Sequence, residues 1–369
     1  ELNLETVAHT VGVKQTEEGL ERAAAECPED LAADGDVYAE VRFAPELYTR
    51  RGQTIDQVRA LPKVLLHDHL DGGLRPGTVI DLAAEIGHDL PTTDVDELQD
   101  WFIAGAARKN LELYLETFAH TVGVMQTEEG LERVAAECAE DLAADGVVYA
   151  EVRFAPELYT RRGLTMDQVV NAILAGFHQG SAGREITVYA ICCAMRETPG
   201  SDRVAELTVR HRHQGVVAFD LAGPEHGYPP DEHLDAFYVM RRANHHITIH
   251  AGEGYGLPSI WKAIQWCGAE RLGHGIRIVD DIDQSDLEPV LGELAAYVRD
   301  RRIPLEICPT SNVHSGAARS LAEHPVDLLD RLGFRVTIST DNRLMSNTSA
   351  SEELHRLVTT FDYGWDHLE

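Results

Sequence analysis

The sequence predicts an α/β chain that closes into a (β/α)8 barrel. From residue 62 onward, eight apolar strand candidates alternate with helical stretches, which is the pattern of parallel βαβ units. Eight such units form a closed barrel. The polar residues that could carry chemistry stand at or just beyond the carboxyl ends of these strands, where barrel enzymes build their active sites. The predicted strands are 64–70, 147–155, 186–195, 216–223, 246–251, 271–276, 304–310 and 335–341.

The first predicted strand carries two histidines one residue apart, His67 and His69, and Asp71 follows them. Side chains at positions i and i+2 of a strand face the same way, so both imidazoles project to one side. This is the arrangement that two ligands of one metal ion require. A His-x-His pair alone is common, so its meaning depends on residues further along the chain.

Three later strands end in polar residues beside glycine or beside a second polar residue. They carry His250 with Glu253, His274 between two glycines, and Asp341 before Asn342. Three histidines and an aspartate are a plausible donor set for one zinc ion with a coordination position left for water. Glu253 and His274 remain beside that set as acid and base candidates.

These motifs resemble those of the adenosine deaminase family within the metal-dependent amidohydrolases. The resemblance runs from about residue 62 to the C-terminus and keeps the family's order. It implies one zinc ion per chain, with His67, His69, His250 and Asp341 as its ligands. The matched motifs are His67-x-His69-x-Asp71, His250-Ala251-Gly252-Glu253, Leu272-Gly273-His274-Gly275 and Ser339-Thr340-Asp341.

The resemblance also implies roles for the other site residues. Glu253 would protonate N1 of the purine, which requires a carboxyl with a raised pKa, and His274 would take a proton from the attacking water. Asp71, beside His69, would accept the ribose 5′-hydroxyl, and the backbone N–H of Gly223 would meet N3 of the purine. Many family members have a second aspartate where this chain has Asn342. Asn342 can contact the base or the water but carries no charge.

The implied activity is zinc-dependent hydrolytic deamination of adenosine, and of 2′-deoxyadenosine, with release of ammonia. Alternatives remain open: a deaminase of another 6-aminopurine compound such as adenine or aminodeoxyfutalosine, a zinc-retaining inactive homologue, and a non-enzymatic metal-binding module. Asp71 favours a substrate with a free 5′-hydroxyl. The sequence offers no basic phosphate pocket, which argues against AMP.

Composition limits the partners and the compartment. The 369 residues carry a formal net charge of −30, which disfavours nucleic acid and anionic membranes. No apolar run has the length of a membrane span, and no secretory signal is expected. Six scattered cysteines without a CxxC motif indicate reduced thiols in a cytoplasmic protein. We expect a small purine nucleoside as the partner; the sequence does not determine the oligomeric state.

One segment occurs twice. Residues 1–58 align without gaps on residues 112–169 with 50 identities, and each copy reads as a helix followed by a strand. A single duplication is not a solenoid, so a partial gene duplication, a flaw in sequence assembly or a regulatory module would explain it. We expect residues 1–60 to be peripheral to a deaminase domain at 61–369, and residues 112–169 to supply the second barrel strand.

Two further regions yield expectations about structure. The stretch 72–146, which includes Trp101 and Phe102, is rich in helix formers and is predicted to form a helical lid after the first strand. Its aromatic residues would serve equally as helix-packing anchors. Ser349-x-x-Glu352 predicts the start of a last helix that runs to about residue 361, in a chain that ends earlier than family members usually do.

Overall fold

The computed structural model describes residues 59, 61–285, 288–361 and 363. The chain divides into two compact units, one formed by Glu1–Pro62 together with Leu354–Glu369 and the other by Lys63–Glu353. The first copy of the duplicated segment, and with it the expectation that residues 1–60 are peripheral, lies outside the described residues. The following account concerns the second unit, which holds every predicted site residue.

Eight parallel strands form the barrel of this unit, and a short antiparallel hairpin of β7 and β8 stands apart from it. The hydrogen-bonded order of the barrel strands is β1-β2-β3-β4-β5-β6-β9-β10. The strands are β1 (Lys63–His69), β2 (Val147–Phe154), β3 (Thr187–Met195), β4 (Val216–Ala222), β5 (His246–Ala251), β6 (Arg271–His274), β7 (Ile282–Asp283), β8 (Val290–Leu291), β9 (Leu305–Ile307) and β10 (Val336–Ile338).

A parallel bridge between Asp68 and Asp341 brings the two ends of the strand order together. The backbone N–H of His69 donates to the carbonyl of Asp341 at 2.7 Å, and the N–H of Asp341 donates to the carbonyl of His67 at 2.9 Å. The sheet is therefore closed next to the predicted site. The eight-stranded barrel expected from the sequence is confirmed, and each strand begins within one residue of its predicted position.

Helices follow most of the barrel strands, as βαβ connectivity requires. They are α1 (Pro76–Ile86), α2 (Val95–Ala106), α3 (Leu111–Leu115), α4 (Phe118–Val124), α5 (Glu128–Ala144), α6 (Met166–Ser181), α7 (Ser201–Arg210), α8 (Leu234–Arg242), α9 (Leu257–Lys262), α10 (Glu293–Asp300), α11 (Pro309–His314), α12 (Val326–Arg331), α13 (Arg343–Ser346) and α14 (Ala350–Phe361). Among the described residues, no helix is both long and apolar enough to cross a bilayer.

The later copy of the duplicated segment supplies α5 and β2. Thr127 caps the start of α5 by accepting a hydrogen bond from the N–H of Gly130, and Gly146, at φ 77°, turns the chain into β2. Helix α6 then packs closely on α5, because a Cβ on Gly176 would stand 2.2 Å from the carbonyl oxygen of Glu132. Strand β2 pairs with β1 on one side and with β3 on the other, so this copy is part of the barrel wall.

The predicted helical lid is present as α1 to α4, which precede α5. Phe102 of α2 is fully buried, while Trp101 is half-buried and packs edge-on against His120 of α4. Both aromatic residues therefore serve as packing anchors within the helical segment. At the other end of the unit, Ser349 accepts a hydrogen bond from the N–H of Glu352 at the start of α14, as its motif predicts.

Candidate active site and metal centre

The predicted ligands stand at the carboxyl ends of three barrel strands. His67 and His69 lie in β1, His250 lies in β5, and Asp341 follows β10; His274 is the last residue of β6. His274 and Asp341 have positive φ angles, 60° and 57°, which residues other than glycine seldom adopt. Such backbone conformations persist where the surrounding structure enforces them, and they cluster at functional sites.

The side chains of the four predicted ligands converge. The Nε2 atoms of His69 and His250 are 3.1 Å apart, and Oδ1 of Asp341 lies 3.3 Å from Nε2 of both His67 and His69. His274 joins them, since its ring nitrogen and those of His67 and His250 fall with Asp341 within 4.8 Å of one another. The structure thus brings together every metal-ligand candidate that the sequence analysis named.

Two buried carboxylates hold two of the candidate ligand histidines from behind. Nδ1 of His67 is 3.1 Å from Glu306 of β9, and Nδ1 of His250 is 2.9 Å from Asp220 of β4. The guanidinium of Arg153, fully buried in β2, joins them at 2.7 Å from Glu306 and 3.0 Å from Asp220. Because Nδ1 of each imidazole is engaged by a carboxylate, Nε2 is left to face the centre of the site.

Burial and charge set the protonation of this cluster. Burial lowers the pKa of His69 and of His250, so both imidazoles are neutral and have a lone pair free for a cation. For Asp341, burial opposes ionisation, but hydrogen bonding to His67 and the nearby imidazoles hold its pKa well below the ordinary value. At His67, burial and the charge of Arg153 lower the pKa, but hydrogen bonds to Asp341 and Glu306 outweigh them and raise it above its ordinary value. The centre therefore combines the neutral imidazoles of His69 and His250 with an ionised carboxylate at Asp341.

Glu253 stands on the turn after β5 and is buried. Burial first, and then the charge of Asp341, raise the pKa of Glu253 well above its ordinary value, which favours the neutral carboxylic acid. Its Oε2 lies 3.4 Å from Nε2 of His274, whose own pKa burial keeps well below the usual range. The contact is therefore one between two neutral groups.

The turn that carries Glu253 is held by another buried acid, Glu225. Its carboxylate accepts the backbone N–H groups of Gly252 at 2.6 Å, Glu253 at 3.0 Å and Tyr255 at 3.0 Å. Three backbone hydrogen bonds to one carboxyl group fix the turn and hence the position of the Glu253 carboxyl. Sequence reasoning did not single out Glu225.

On its buried side, His274 is linked to the protein interior by a series of hydrogen-bonded side chains. Nδ1 of His274 is 2.9 Å from the amide nitrogen of Asn312, and the amide oxygen of Asn312 is 3.2 Å from Nε2 of His324. The backbone N–H of Val326 donates to the other ring nitrogen of His324. The ring of His274 is therefore fixed in orientation from its buried side.

The predicted substrate contacts include Asp71, Gly223 and Asn342. Tyr159 donates a hydrogen bond to Oδ2 of Asp71 at 3.0 Å, while Oδ1 of Asp71 is buried without a hydrogen-bond partner among the described residues. Burial raises the pKa of Asp71 to about 6. Gly223 follows β4 at φ 99°, and a Cβ there would stand 2.6 Å from the carboxylate of Glu197, so this position requires glycine.

Asn342 contacts the helical segment. Its amide nitrogen donates to the hydroxyl of Tyr114 of α3 at 2.7 Å, and its Oδ1 is buried with no hydrogen-bond partner in the described part of the chain. Tyr114 is also hydrogen-bonded to Ser311, which donates to Asp341. Tyr114 thus places a hydroxyl from the predicted lid directly beside the metal-ligand candidates.

Comparison with protein families identifies the chain. The family model described as adenosine deaminase matches residues 3–61 and, separately, residues 62–369. The chain belongs to the adenosine deaminase family. The double match agrees with the duplicated segment, because the first matched range covers residues 3–58 of the first copy.

Curated relatives of the adenosine deaminase family are similar over most of their length. Adenosine deaminase 1 of Streptomyces coelicolor is 60% identical over 321 residues, which cover 85% of this chain and 81% of the relative. Adenosine deaminase of Mycobacteroides abscessus is 62% identical over 315 residues, or 84% of this chain and 87% of the relative. Family membership makes the chain a hydrolase that acts on carbon–nitrogen bonds in cyclic amidines.

Solved structures with lower sequence identity share the fold. An amidohydrolase from Burkholderia ambifaria with bound Zn superposes with a TM-score of 0.75 at 24% identity, covering 87% of this chain and 86% of its own. An adenine deaminase from Arthrobacter aurescens gives a TM-score of 0.72 at 24% identity, covering 82% and 88%. Both likenesses establish the barrel architecture.

The adenosine deaminase family is metal-dependent, and the donor set here fits a metal ion. Nε2 of His67 is buried and lies 3.3 Å from Oδ1 of Asp341, while Nδ1 of the same ring binds Glu306. A buried ring nitrogen that converges with two other imidazoles and an ionised carboxylate is the chemistry of a divalent-cation site.

Proposed function

We propose that this chain hydrolyses adenosine, and 2′-deoxyadenosine, to the inosine product and ammonia, with one zinc ion held by His67, His69, His250 and Asp341. The convergence of these four side chains at the carboxyl ends of β1, β5 and β10 carries the proposal. A donor set of three imidazoles and one carboxylate suits zinc. When bound, the ion supplies Lewis acidity that makes water a competent nucleophile near neutral pH.

Glu253 is the proposed proton donor to N1 of the purine. Water adds to C6 while N1 gains a proton, which keeps negative charge from building up on the ring. The buried, neutral carboxyl of Glu253 has a proton available for this step, and Glu225 holds the turn that positions it.

His274 is the proposed acceptor of the proton that the attacking water loses. Its imidazole is neutral, and Asn312 fixes its orientation from behind. It adjoins both Glu253 and the metal-ligand candidates. The proton that it takes from water would pass to the amino group on C6, whose bond to C6 then breaks with release of ammonia.

Asp71, beside His69, is the proposed acceptor of the ribose 5′-hydroxyl. Its Oδ1 is buried and free to accept, while Tyr159 holds Oδ2 in place. A substrate with a hydroxyl at this position binds more tightly than one without it, because a buried oxygen that stays unsatisfied costs free energy. We propose further that Gly223 approaches N3 of the purine with its backbone N–H and that Asn342 contacts the base.

The cysteines and the net charge support proposals for the compartment and the partner. The five described cysteines are buried and free, which supports a reducing, cytoplasmic location. The net charge of −30 supports a small-molecule nucleoside as the partner in preference to nucleic acid.

The experiment that tests the proposal measures ammonia release from adenosine, 2′-deoxyadenosine, adenine, AMP and aminodeoxyfutalosine, with zinc analysis of the same preparation. We expect turnover of the two nucleosides and about one zinc per chain. Removal of the ion by chelation should abolish turnover, and zinc should restore it. Full activity in metal-free protein, or faster turnover of adenine than of adenosine, would contradict the proposal.

A further inference from the structure

Asp68, the residue between the two histidines of β1, faces away from the metal-ligand candidates because successive side chains of a strand alternate. It is nevertheless fully buried. Its Oδ1 accepts a hydrogen bond from the hydroxyl of Thr340 at 2.7 Å and from Nε of Arg343 at 3.0 Å. Nε of Arg343 is also 3.2 Å from Oδ2. One carboxylate therefore binds two residues of the segment that follows β10.

These two partners bracket the segment that forms part of the site. Thr340 immediately precedes Asp341, and Arg343 immediately follows Asn342. Between them the backbone must hold Asp341 at φ 57°, a conformation that costs free energy in any residue with a Cβ. Fixing both ends of so short a turn limits the ways in which this strain can relax.

The guanidinium of Arg343 has further contacts on its other sides. Its Nη2 lies 3.1 Å from Sγ of Cys138 in α5, and a Cβ on Gly73 would stand 2.3 Å from the same nitrogen. The Arg343 side chain is 10% exposed. Nη1 of Arg343 lies 3.8 Å from Asp141, and a cavity of about 210 Å³ adjoins the side chain. Arg343 can therefore act as a tie because of its polar contacts with Asp68, Cys138 and Asp141, and not because space around it is lacking.

We propose that Asp68 is a positioning residue, which through Thr340 and Arg343 holds the Asp341–Asn342 turn in the geometry needed for metal binding. The inference rests on the proposed role of Asp341 as a ligand. A buried ion pair often adds little net stability over apolar residues of similar volume. What Asp68 adds is accuracy in the placement of Asp341 relative to His67 and His69, which lie on the same strand as Asp68 itself.

The test compares zinc affinity with thermal stability. Asp68→Leu alone removes the nearer carboxylate of the buried guanidinium and leaves only Asp141, 3.8 Å away, so we expect it to lower both. The double variant Asp68→Leu/Arg343→Met removes both charges, so the melting temperature of the metal-free protein should recover. Its zinc affinity, measured by competition with a chelator, should stay about 10- to 100-fold below the parent, as for other groups that orient a ligand. Recovery of zinc affinity together with the melting temperature would overturn the proposal.

Thr340→Val gives a milder variant for the case in which the double variant does not fold. It removes one hydrogen bond to Asp68 and keeps the ion pair, so we expect a loss of zinc affinity of about fivefold with an unchanged melting temperature. Unchanged affinity would contradict the inference. Asp231→Asn, which weakens the ion pair of Asp231 with Lys262 at 2.9 Å, is the matched control and should leave zinc affinity unaltered.

Zinc binding by the parent protein distinguishes failure of the positioning role of Asp68 from failure of the metal site. If the parent binds about one zinc per chain and the Asp68 and Thr340 variants bind it equally well, the positioning role is wrong while the metal site stands. If the parent binds no zinc, the proposed metal site fails and the positioning role fails with it.

Discussion

The inner and outer ends of the site differ in which buried polar atoms are left without a partner. At the inner end, Glu306 and Asp220 engage His67 and His250, and Arg153 joins the two carboxylates, although its own Nε has no hydrogen-bond partner among the described residues. At the outer end, Oδ1 of Asp71 and Oδ1 of Asn342 are buried without a hydrogen-bond partner among the described residues. Buried acceptors of this kind are rare and call for a ligand or water. Contacts within the protein therefore fix the side chains of the inner end. At the outer end, Oδ1 of Asp71 and Oδ1 of Asn342 can still accept hydrogen bonds from a substrate.

The largest loss of activity is expected from a change at Glu253. Glu253→Gln preserves the shape of the side chain but cannot deliver a proton, so kcat should fall by about 10²- to 10⁴-fold with little change in KM. Steady-state kinetics with adenosine measure it. Glu270→Gln, which alters an exposed acid paired with His246, is the control. A Glu253→Gln enzyme within threefold of the parent would remove Glu253 from the mechanism.

A change at the inner end should act on the metal and not on the nucleoside. Asp220→Asn weakens the support of His250, and we expect zinc affinity to drop about 10- to 100-fold. The KM of the zinc-loaded fraction should stay close to that of the parent. Chelator competition and kinetics at saturating zinc test this, with Asp167→Asn, in an exposed pair with Arg210, as the control. An unaltered zinc affinity would show that Asp220 does not support the site.

A change at the outer end should weaken binding of the nucleoside and leave binding of the metal unaltered. Asp71→Ala removes the proposed partner of the 5′-hydroxyl, and losing a hydrogen bond to a charged group raises KM for adenosine by about 10- to 100-fold. Zinc content should remain that of the parent. Inosine formation followed across adenosine concentrations measures KM, and loss of zinc with an unchanged KM would reverse the assignment of Asp71.

The smallest effect is expected from removal of residues 1–60, which contain no residue of either end of the site. All eight barrel strands come from residues 63–338, and the later copy of the duplicated segment supplies β2. We therefore predict that a chain beginning at Leu61 retains the kcat/KM of the full chain and equals or exceeds its solubility. Kinetics and a melting curve of both proteins test this. Failure of the shortened chain to fold would mean that residues 1–60 belong to the catalytic unit.

The sequence predicted the barrel because hydrophobic alternation is a local signal. Each strand could be assigned from its own residues, and the site candidates were conspicuous because polar residues such as His274 and Asp341 interrupt apolar runs beside glycine or another polar residue. The family assignment made from these motifs is confirmed by the family model and the curated relatives. The roles assigned to single residues stay predictions.

The supporting residues could not be predicted because they depend on contacts across the barrel. Glu306 lies 239 positions from His67, and no local pattern reports that the two side chains meet. Arg153 and Glu151 stand in the apolar strand β2 and both form ion pairs, Arg153 with Asp220 and Glu306, and Glu151 with Arg271. A charged residue in an apolar strand signals that a buried partner exists, but only the closed sheet determines which residue it is.

The buried thiols have a use as reporters of motion. Sγ of Cys193 lies 3.3 Å from Asp220 at the inner end, and Cys138 lies against Arg343 beside the turn that carries Asp341. Burial raises the pKa of Cys138 to about 12 and that of Cys193 well above the ordinary value, so neither thiol reacts while it is enclosed. The rate at which an alkylating reagent labels each cysteine therefore measures how often its surroundings open, without any probe added to the protein.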